Sequence, residues 1–253
     1  MDAFKRASAS SVTAIMPYFS YAKGDKKDEP RVSIRARVCA ESIELAGADR
    51  IVTMDLHSPQ IQGFFKKPVD NLIALPVLCE YIKNMDIDNY VIVSPDAGYA
   101  KQAREFSRHL GVSTVIGDKT RKAHDEKAKV LELIGDVKDK NAIIVDDFSI
   151  SGGTLVELAG FLKERGAKKI FACLSHILLN SKGVEKIENS PIEKVISTDT
   201  VINPYVQDSS KVEIVSVAPL FAEAIIRIHN RDSLSILFEK LPERVIRALD
   251  LKK

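Results

Sequence analysis

The residues of this chain with the clearest chemical potential form one run, Ile143-Ile144-Val145-Asp146-Asp147-Phe148-Ser149-Ile150-Ser151-Gly152-Gly153-Thr154. An apolar stretch of strand character ends in two adjacent carboxylates, then passes through a Ser-Gly-Gly-Thr turn into a helical pattern. Gly152 and Gly153 let backbone approach a ligand closely, and the amides that open a helix can hold a phosphate. Ser151 and Thr154 add hydroxyl donors, while Asp146 and Asp147 can accept hydrogen bonds from vicinal sugar hydroxyls. A ribose carrying a 5-phosphate satisfies both halves of such a site. The plainer alternative is an acidic strand end followed by a glycine turn.

Three further groups have chemical potential. Ser94-Pro95-Asp96-Ala97-Gly98 is a strand-to-helix turn whose amides, with Ala97 and Gly98 at its centre, could cradle a pyrophosphate. Lys119 and Arg121 sit on a polar segment between an apolar strand and the next helical pattern. Arg121 offers a planar fork and Lys119 a mobile point charge, both suited to phosphate oxygens in a transition state. From Asp118 to Lys129 there are five basic and three acidic side chains, so a solvated loop is the competing reading. Between Lys23 and Arg37 there are six basic side chains, which suit a nucleotide anion or a nucleic acid. No set of aromatic residues for base stacking accompanies them, which favours the nucleotide.

These groups need a scaffold. The chain has 253 residues, enough for one large domain or two modest ones. Its hydrophobic fraction of 45% and charged fraction of 28% exclude a disordered chain. Basic residues number 37 against 35 acidic, and that balance of +2 argues against a general nucleic-acid binder. Three cysteines, Cys39, Cys79 and Cys173, form neither a CxxC pair nor a disulfide framework, and read as small buried hydrophobes in a reducing compartment. No apolar run of membrane-spanning length and no signal peptide is evident, so a cytoplasmic protein without membrane contact is expected.

Strands are expected at Ser11–Met16, Arg50–Met54, Tyr90–Val93, Ser113–Gly117, Ala142–Val145, Lys169–Cys173, Glu193–Ser197 and Glu213–Val217. Helices are expected at Ser33–Leu45, Pro76–Asn84, Ala100–Leu110, Gly153–Arg165, Lys182–Glu188 and Pro219–His229. The strands are apolar throughout, as parallel strands covered on both faces are, and the alternation reads as βαβ units. The turn-rich stretch Gly63–Asn71 marks a boundary, dividing a first domain (1–70), a second (71–218) and a helical tail (219–253). The tail after Pro242 reads as one amphipathic helix. Asp2–Ala9 reads as the end of a helix whose beginning is missing, which makes the first domain incomplete.

The 143–154 run resembles the PRPP-binding loop of type I phosphoribosyltransferases. Met16-Pro17-Tyr18-Phe19, Tyr21-Ala22-Lys23, Lys27-Asp28-Glu29-Pro30-Arg31-Val32, Thr53-Met54-Asp55-Leu56-His57 and Val93-Ser94-Pro95-Asp96-Ala97-Gly98 narrow the resemblance to ribose-phosphate pyrophosphokinases. So do Gln60-Ile61-Gln62-Gly63-Phe64-Phe65, Pro68-Val69-Asp70-Asn71-Leu72 and Ser216-Val217-Ala218-Pro219-Leu220. The resemblance implies an α/β fold of two tandem type I phosphoribosyltransferase-like domains with parallel sheets, and transfer of pyrophosphate from ATP to ribose 5-phosphate. It implies Mg²⁺ held by His57 and Asp96, and ATP or pyrophosphate bound by Lys23, Asp96, Ala97 and Gly98. Asp146, Asp147, Ser151, Gly152, Gly153 and Thr154 would bind ribose 5-phosphate, and Lys119 and Arg121 would be catalytic. A homo-oligomer, dimer or hexamer, or a hetero-oligomer with an active paralogue is further implied.

The sequence departs from this pattern at several points. Lys23-Gly24 stands where the family has Arg-Gln, which removes a planar guanidinium from the nucleotide loop. Tyr99 replaces the second glycine of the pyrophosphate turn, Gln102 replaces a basic residue, and Ile150 stands where many members have an acid. The family's Phe-Ser-Asp-Gly-Glu segment is missing. The nucleotide half is therefore expected to be weakened. A non-catalytic regulatory paralogue and a phosphoribosyltransferase remain as alternatives.

Overall fold

Apolar runs and amphipathic patterns alternate as βαβ units in a computed structural model that describes residues 1–121 and 129–249, with backbone alone at 119–121 and 129–131. The chain divides into two compact units, Met1–Ala74 and Leu75–Lys253.

The first unit contains α1 (Asp2–Arg6), β1 (Thr13–Met16), α2 (Arg35–Leu45), β2 (Arg50–Met54) and β3 (Val69–Leu72). Its three strands form a parallel sheet in the order β1-β2-β3. β3 was not expected, because two of its four residues are polar and break the apolar pattern. Both polar side chains serve their neighbours. Asp70 takes the Arg50 guanidinium, Nη2 to Oδ1 at 3.0 Å, and Asn71 Oδ1 accepts the amide of Leu56 at 3.1 Å. The core gathers Phe19, Ala36, Ala40, Ile51, Ile61 and Phe65, with the rings of Phe19 and Phe65 edge-on at 5.6 Å.

The second unit contains α3 (Leu75–Lys83), β4 (Tyr90–Ser94), α4 (Ala100–Leu110), β5 (Thr114–Arg121), β6 (Lys129–Ile134) and β7 (Asn141–Ser149). It continues with α5 (Gly153–Glu164), β8 (Ile170–Ile177), α6 (Ser181–Glu188), β9 (Ile192–Thr198), β10 (Val212–Val215) and α7 (Ala218–Asn230). Two short helices, α8 (Ile236–Glu239) and α9 (Glu243–Ala248), end the described chain. Among the described residues the sheet has seven strands, in the order β10-β9-β8-β7-β4-β5-β6. Every β8 residue is buried, as the continuous apolar runs require.

One expectation needs correction here. The sheet is not parallel throughout: β6, unexpected in a stretch rich in charge, pairs antiparallel with an extended β5, Ile116 facing Ile134 and Arg121 facing Lys129. The unit boundary after Ala74 lies just past the expected one, and the tail groups with the second unit. That tail has the short helix α8 before Pro242 and, as expected, one helix after it, α9. It is fastened to α7 by the buried carboxylate of Glu223, which accepts from Arg227 at 2.6 Å and Arg244 at 2.7 Å. The Arg244 hydrogen bond, ahead of that from Arg227, holds the Glu223 carboxyl below the usual range.

The cysteines behave as small hydrophobes. All three are free; Cys79 and Cys173 are buried, and burial pushes the Cys79 thiol up to about 12. Among the described residues, no helix is long and apolar enough to cross a membrane.

Candidate active site

Strand order alone marks the place where a ligand should sit. From β4 the chain moves to β5 on one side and later returns to β7 on the other, so the order reverses between β4 and β7. In open α/β sheets, ligands bind beyond the carboxyl ends of the strands at such a switch point. The turn holding Asp96, Ala97 and Gly98 follows β4, and the run from Asp146 to Thr154 ends β7 and opens α5. Both candidate groups of the second unit therefore meet at one crevice.

The turn after β7 is held by backbone contacts. β7 is longer than expected and pairs with β8 as far as Ser149, opposite Ile177, so Asp146 and Asp147 lie within the strand. Gly152 has φ +68°, a left-handed conformation natural to glycine, and a β-carbon there would stand 3.1 Å from the carbonyl of Gly183. Gly183 is the reciprocal half: its own β-carbon would meet the carbonyl of Ile150 at 3.0 Å. α6 thus packs on the turn through two glycines, Gly152 against the carbonyl of Gly183 and Gly183 against that of Ile150. Asn180 fixes this arrangement, its Oδ1 accepting the amide of Gly183 at 2.8 Å and its own amide donating to Ile150 at 3.0 Å.

The helix that follows is open to an anion. Gly152 is the residue before α5 and provides no capping side chain, and no acidic residue occupies the first turn. Among the described residues, the Gly153 amide donates only a long hydrogen bond, to Ser151 Oγ at 3.4 Å. The amides of the first turn of a helix have no partner within it, and here they lie beside the exposed hydroxyls of Ser151 and Thr154. One end of the turn therefore offers donors and the other carboxylates.

The carboxylates repel one another. Asp146 is raised to about 8, first because burial strips its charge of water, then because Asp147 and Asp96 bring like charge near it. Its Oδ1 accepts the amide of Asp147 at 3.0 Å, and Asp147 Oδ1 accepts that of Phe148 at 2.8 Å. Asp96 is exposed and accepts the amide of Tyr99 at 3.0 Å, while Ser94 Oγ donates to the Asp96 carbonyl at 2.7 Å. The cradle expected from this turn is thus reduced: Tyr99 N is engaged by Asp96, and Ala97 and Gly98 are the amides not used by that carboxylate. Tyr99 itself has φ −94°, a conformation any residue adopts, so the bulk expected to block close approach brings no backbone strain.

A divalent cation would relieve this repulsion, and the donor set fits Mg²⁺, which takes one or two carboxylates and completes its shell with water and substrate phosphate. Among the described residues, no three or more His, Cys, Asp or Glu side chains gather as a metal site. The expected pair of ligands is divided between the units, His57 in the first and Asp96 in the second.

Within the first unit, His57 is exposed and follows β2 through a tightly held turn. Asp55, at φ +41°, donates its amide to Leu72 at 2.9 Å and accepts that of Ala74 at 3.0 Å. Lys23 is exposed on a 3-10 turn, Ala22–Gly24, whose other two residues are buried. Lys119 and Arg121 were expected on a segment leading to a helix. Their backbone instead belongs to β5, opposite Leu131 and Lys129 of β6, and their side chains lie outside the described residues. Of the expected basic segment, residues 122–128 also lie outside them.

Sequence reasoning missed the supporting residues. Gly183 and Asn180 were readable in part, as an Asn three residues before a Gly at a helix start. Gly117 was not: its missing side chain matters because a β-carbon would stand 3.1 Å from the Pro95 carbonyl, a contact across strands.

Comparison with known proteins agrees with this geometry. Residues 1–47 match the N-terminal domain of ribose phosphate pyrophosphokinase, and residues 119–239 match the phosphoribosyl synthetase-associated domain. The ribose-phosphate pyrophosphokinase of Chlorobaculum tepidum is 48% identical over 94% of this chain and 74% of its own length. That of Aquifex aeolicus is 46% identical over 94% of this chain and 76% of its own. The crystal structure of phosphoribosylpyrophosphate synthetase from Mycobacterium smegmatis matches with a TM-score of 0.82 at 37% identity, over 91% of this chain and 75% of that one. The expected fold class, α/β with type I phosphoribosyltransferase-like domains, therefore holds. On sequence and structure alike, the chain belongs to the ribose-phosphate pyrophosphokinase family.

Proposed function

We propose that this chain transfers pyrophosphate from ATP to the anomeric hydroxyl of ribose 5-phosphate, giving PRPP and AMP. The anomeric oxygen bonds to the β-phosphorus of ATP, the bond from that phosphorus to the α–β bridging oxygen breaks, and AMP departs with that oxygen. The hydroxyl proton is released to solvent. The single observation that carries this reading is the turn after β7, with two carboxylates before it and an uncapped helix start after it. Asp146 and Asp147 accept hydrogen bonds from the ribose hydroxyls, and Ser151, Gly152, Gly153 and Thr154 hold the 5-phosphate.

Lys119 and Arg121 stabilise charge on the transferring group, and Lys23, Asp96, Ala97 and Gly98 bind ATP and its pyrophosphate. His57 and Asp96 would hold Mg²⁺, which when bound supplies charge neutralisation for the triphosphate. Assembly is a dimer or hexamer, or a hetero-oligomer with an active paralogue, and the compartment is the cytoplasm. In the test, purified protein receives ATP, ribose 5-phosphate and Mg²⁺, and AMP and PRPP are quantified together. Equal amounts of both products are expected; no PRPP at saturating substrates overturns the reading.

A further inference from the structure

We propose that Arg35 is a nucleotide-binding residue, seated on Gly24 so that its guanidinium supplies the planar cation that Lys23 does not. The inference rests on the reading of the first unit as the ATP-binding part. It begins from packing. Gly24 is buried, and a β-carbon there would stand 2.8 Å from both Cβ and Nε of Arg35. Real side chains do not come so close, so Arg35 lies along this backbone only because position 24 has no side chain.

Electrostatics make the placement costly for the protein by itself. Arg35 is the first residue of α2, where the helix dipole disfavours a cation, and the first turn holds no acidic residue to offset it. Arg37, two positions on, contrasts with it, since it pairs with Glu41 at 2.7 Å. Arg35 is exposed and has no acidic partner among the described residues. A cation held at the unfavourable end of a helix, in a seat shaped by a glycine, is not there for stability. A polyanionic nucleotide would remove both penalties at once.

The neighbouring loop is built to hold that seat. Phe19, Ala22 and Gly24 are buried, which anchors the segment, while Lys23, Lys26, Lys27 and Arg31 are exposed along it. Tyr21 and Arg31 take left-handed backbone, φ +66° and +63°, and so turn the chain on either side of the 3-10 segment. The loss of a guanidinium at position 23 is thus met from α2, by one of the six basic side chains of the 23–37 stretch.

The test measures ATP binding to the full chain by calorimetry, with KM and kcat for both substrates. R35A is expected to weaken ATP binding at least tenfold and to raise KM for ATP, leaving KM for ribose 5-phosphate within twofold. R35K recovers only part of this, because an ammonium lacks the planar fork. G24A displaces Arg35 and weakens ATP similarly, and the double variant G24A/R35A is no weaker than R35A alone, as coupled residues require. The melting temperature of R35A should stay level or rise, which a purely structural arginine would not allow. Binding of ATP by R35A within twofold of the unaltered chain, or additive effects of G24A and R35A, overturns the inference. If the unaltered chain binds ATP through Arg35 yet makes no PRPP, the proposed reaction fails and this inference stands. If the unaltered chain does not bind ATP, both fail.

Discussion

The turn from Ile150 to Thr154 in the second unit and the loop from Phe19 to Arg35 in the first both serve phosphorylated ligands in our reading, but they are made differently. The first of these is built from backbone. Gly152 faces the carbonyl of Gly183 and Gly183 that of Ile150, Asn180 bonds to both segments, and the proposed donors for the phosphate include helix amides. The second presents side chains: exposed lysines and arginines on a segment held by three buried residues. A backbone site tolerates no change at its few glycines but is indifferent to many side chains around it. Ile150 illustrates this, being 45% exposed while its carbonyl does the packing, so the missing acid at that position alters little. A side-chain site can exchange one residue for another at a different position. The departures at Lys23 and Gly24 fall in that loop, and Arg35 occupies the space they leave.

The largest effect should come from the carboxylates, and it tests whether the two regions divide the ligands between them. Asp146→Asn combined with Asp147→Asn replaces two carboxyl groups proposed to accept from the sugar hydroxyls with amides, which keep one acceptor oxygen each, and takes away negative charge near Asp96. Loss of hydrogen bonds to charged groups is worth about 1.5–3 kcal/mol each, so turnover should fall about a thousandfold. Isothermal titration should find ribose 5-phosphate binding abolished and ATP binding retained. Unchanged ribose 5-phosphate binding would remove the basis for assigning this turn, and a parallel loss of ATP would dissolve the division of labour.

A smaller effect sharpens the claim that one site is made of backbone. Gly183→Ala adds a single carbon 3.0 Å from the Ile150 carbonyl, far from any ligand-binding side chain. Helix propensity favours the alanine by about 1 kcal/mol, while overpacking opposes it by about 1–3 kcal/mol. Overall stability should therefore change little, and the displaced turn should raise KM for ribose 5-phosphate about tenfold with KM for ATP unchanged. An unaffected KM for the sugar phosphate would show that the facing glycines are packing alone.

How much was legible beforehand follows the same line. Asp146–Thr154 was legible because its chemistry is consecutive: strand, acids, glycines and helix start lie within one run of sequence. The strands that carry the site were legible from unbroken apolar runs such as Val91–Val93 and Ala142–Val145, all buried. β3 and β6 were not, since their polar residues answer to partners across the sheet: Asp70 to Arg50, and the β6 backbone to β5. Gly183 and Gly117 escaped for the same reason. Each matters through a contact with a segment distant in sequence, and a lone glycine carries no pattern that names its partner.

A third effect is electrostatic, read in stability instead of turnover, and probes the second unit before any ligand arrives. Asp146 is raised to about 8 in the folded chain against 3.8 for an unperturbed aspartate, chiefly by burial and then by Asp147 and Asp96. Below about 3.8 the group is protonated whether folded or unfolded, and its contribution to stability is fully present. Between that value and about 8 only the unfolded chain gives up the proton, so stability falls as pH rises; above 8 the loss is complete. The slope has a ceiling of about 1.4 kcal/mol per pH unit for one proton. Asp146→Asn removes this slope while leaving all other titrations in place, so the variant should gain on the unaltered chain steadily between pH 5 and 8 in chemical denaturation. Added Mg²⁺ should recover stability of the unaltered chain more at pH 8.5 than at pH 5.5, because a cation favours the ionised carboxylate. Parallel stability curves for the two proteins across that range would mean that the crowded acids of the crevice carry no strain, and the contrast between a charged site in one unit and a backbone turn beside it would lose its electrostatic half.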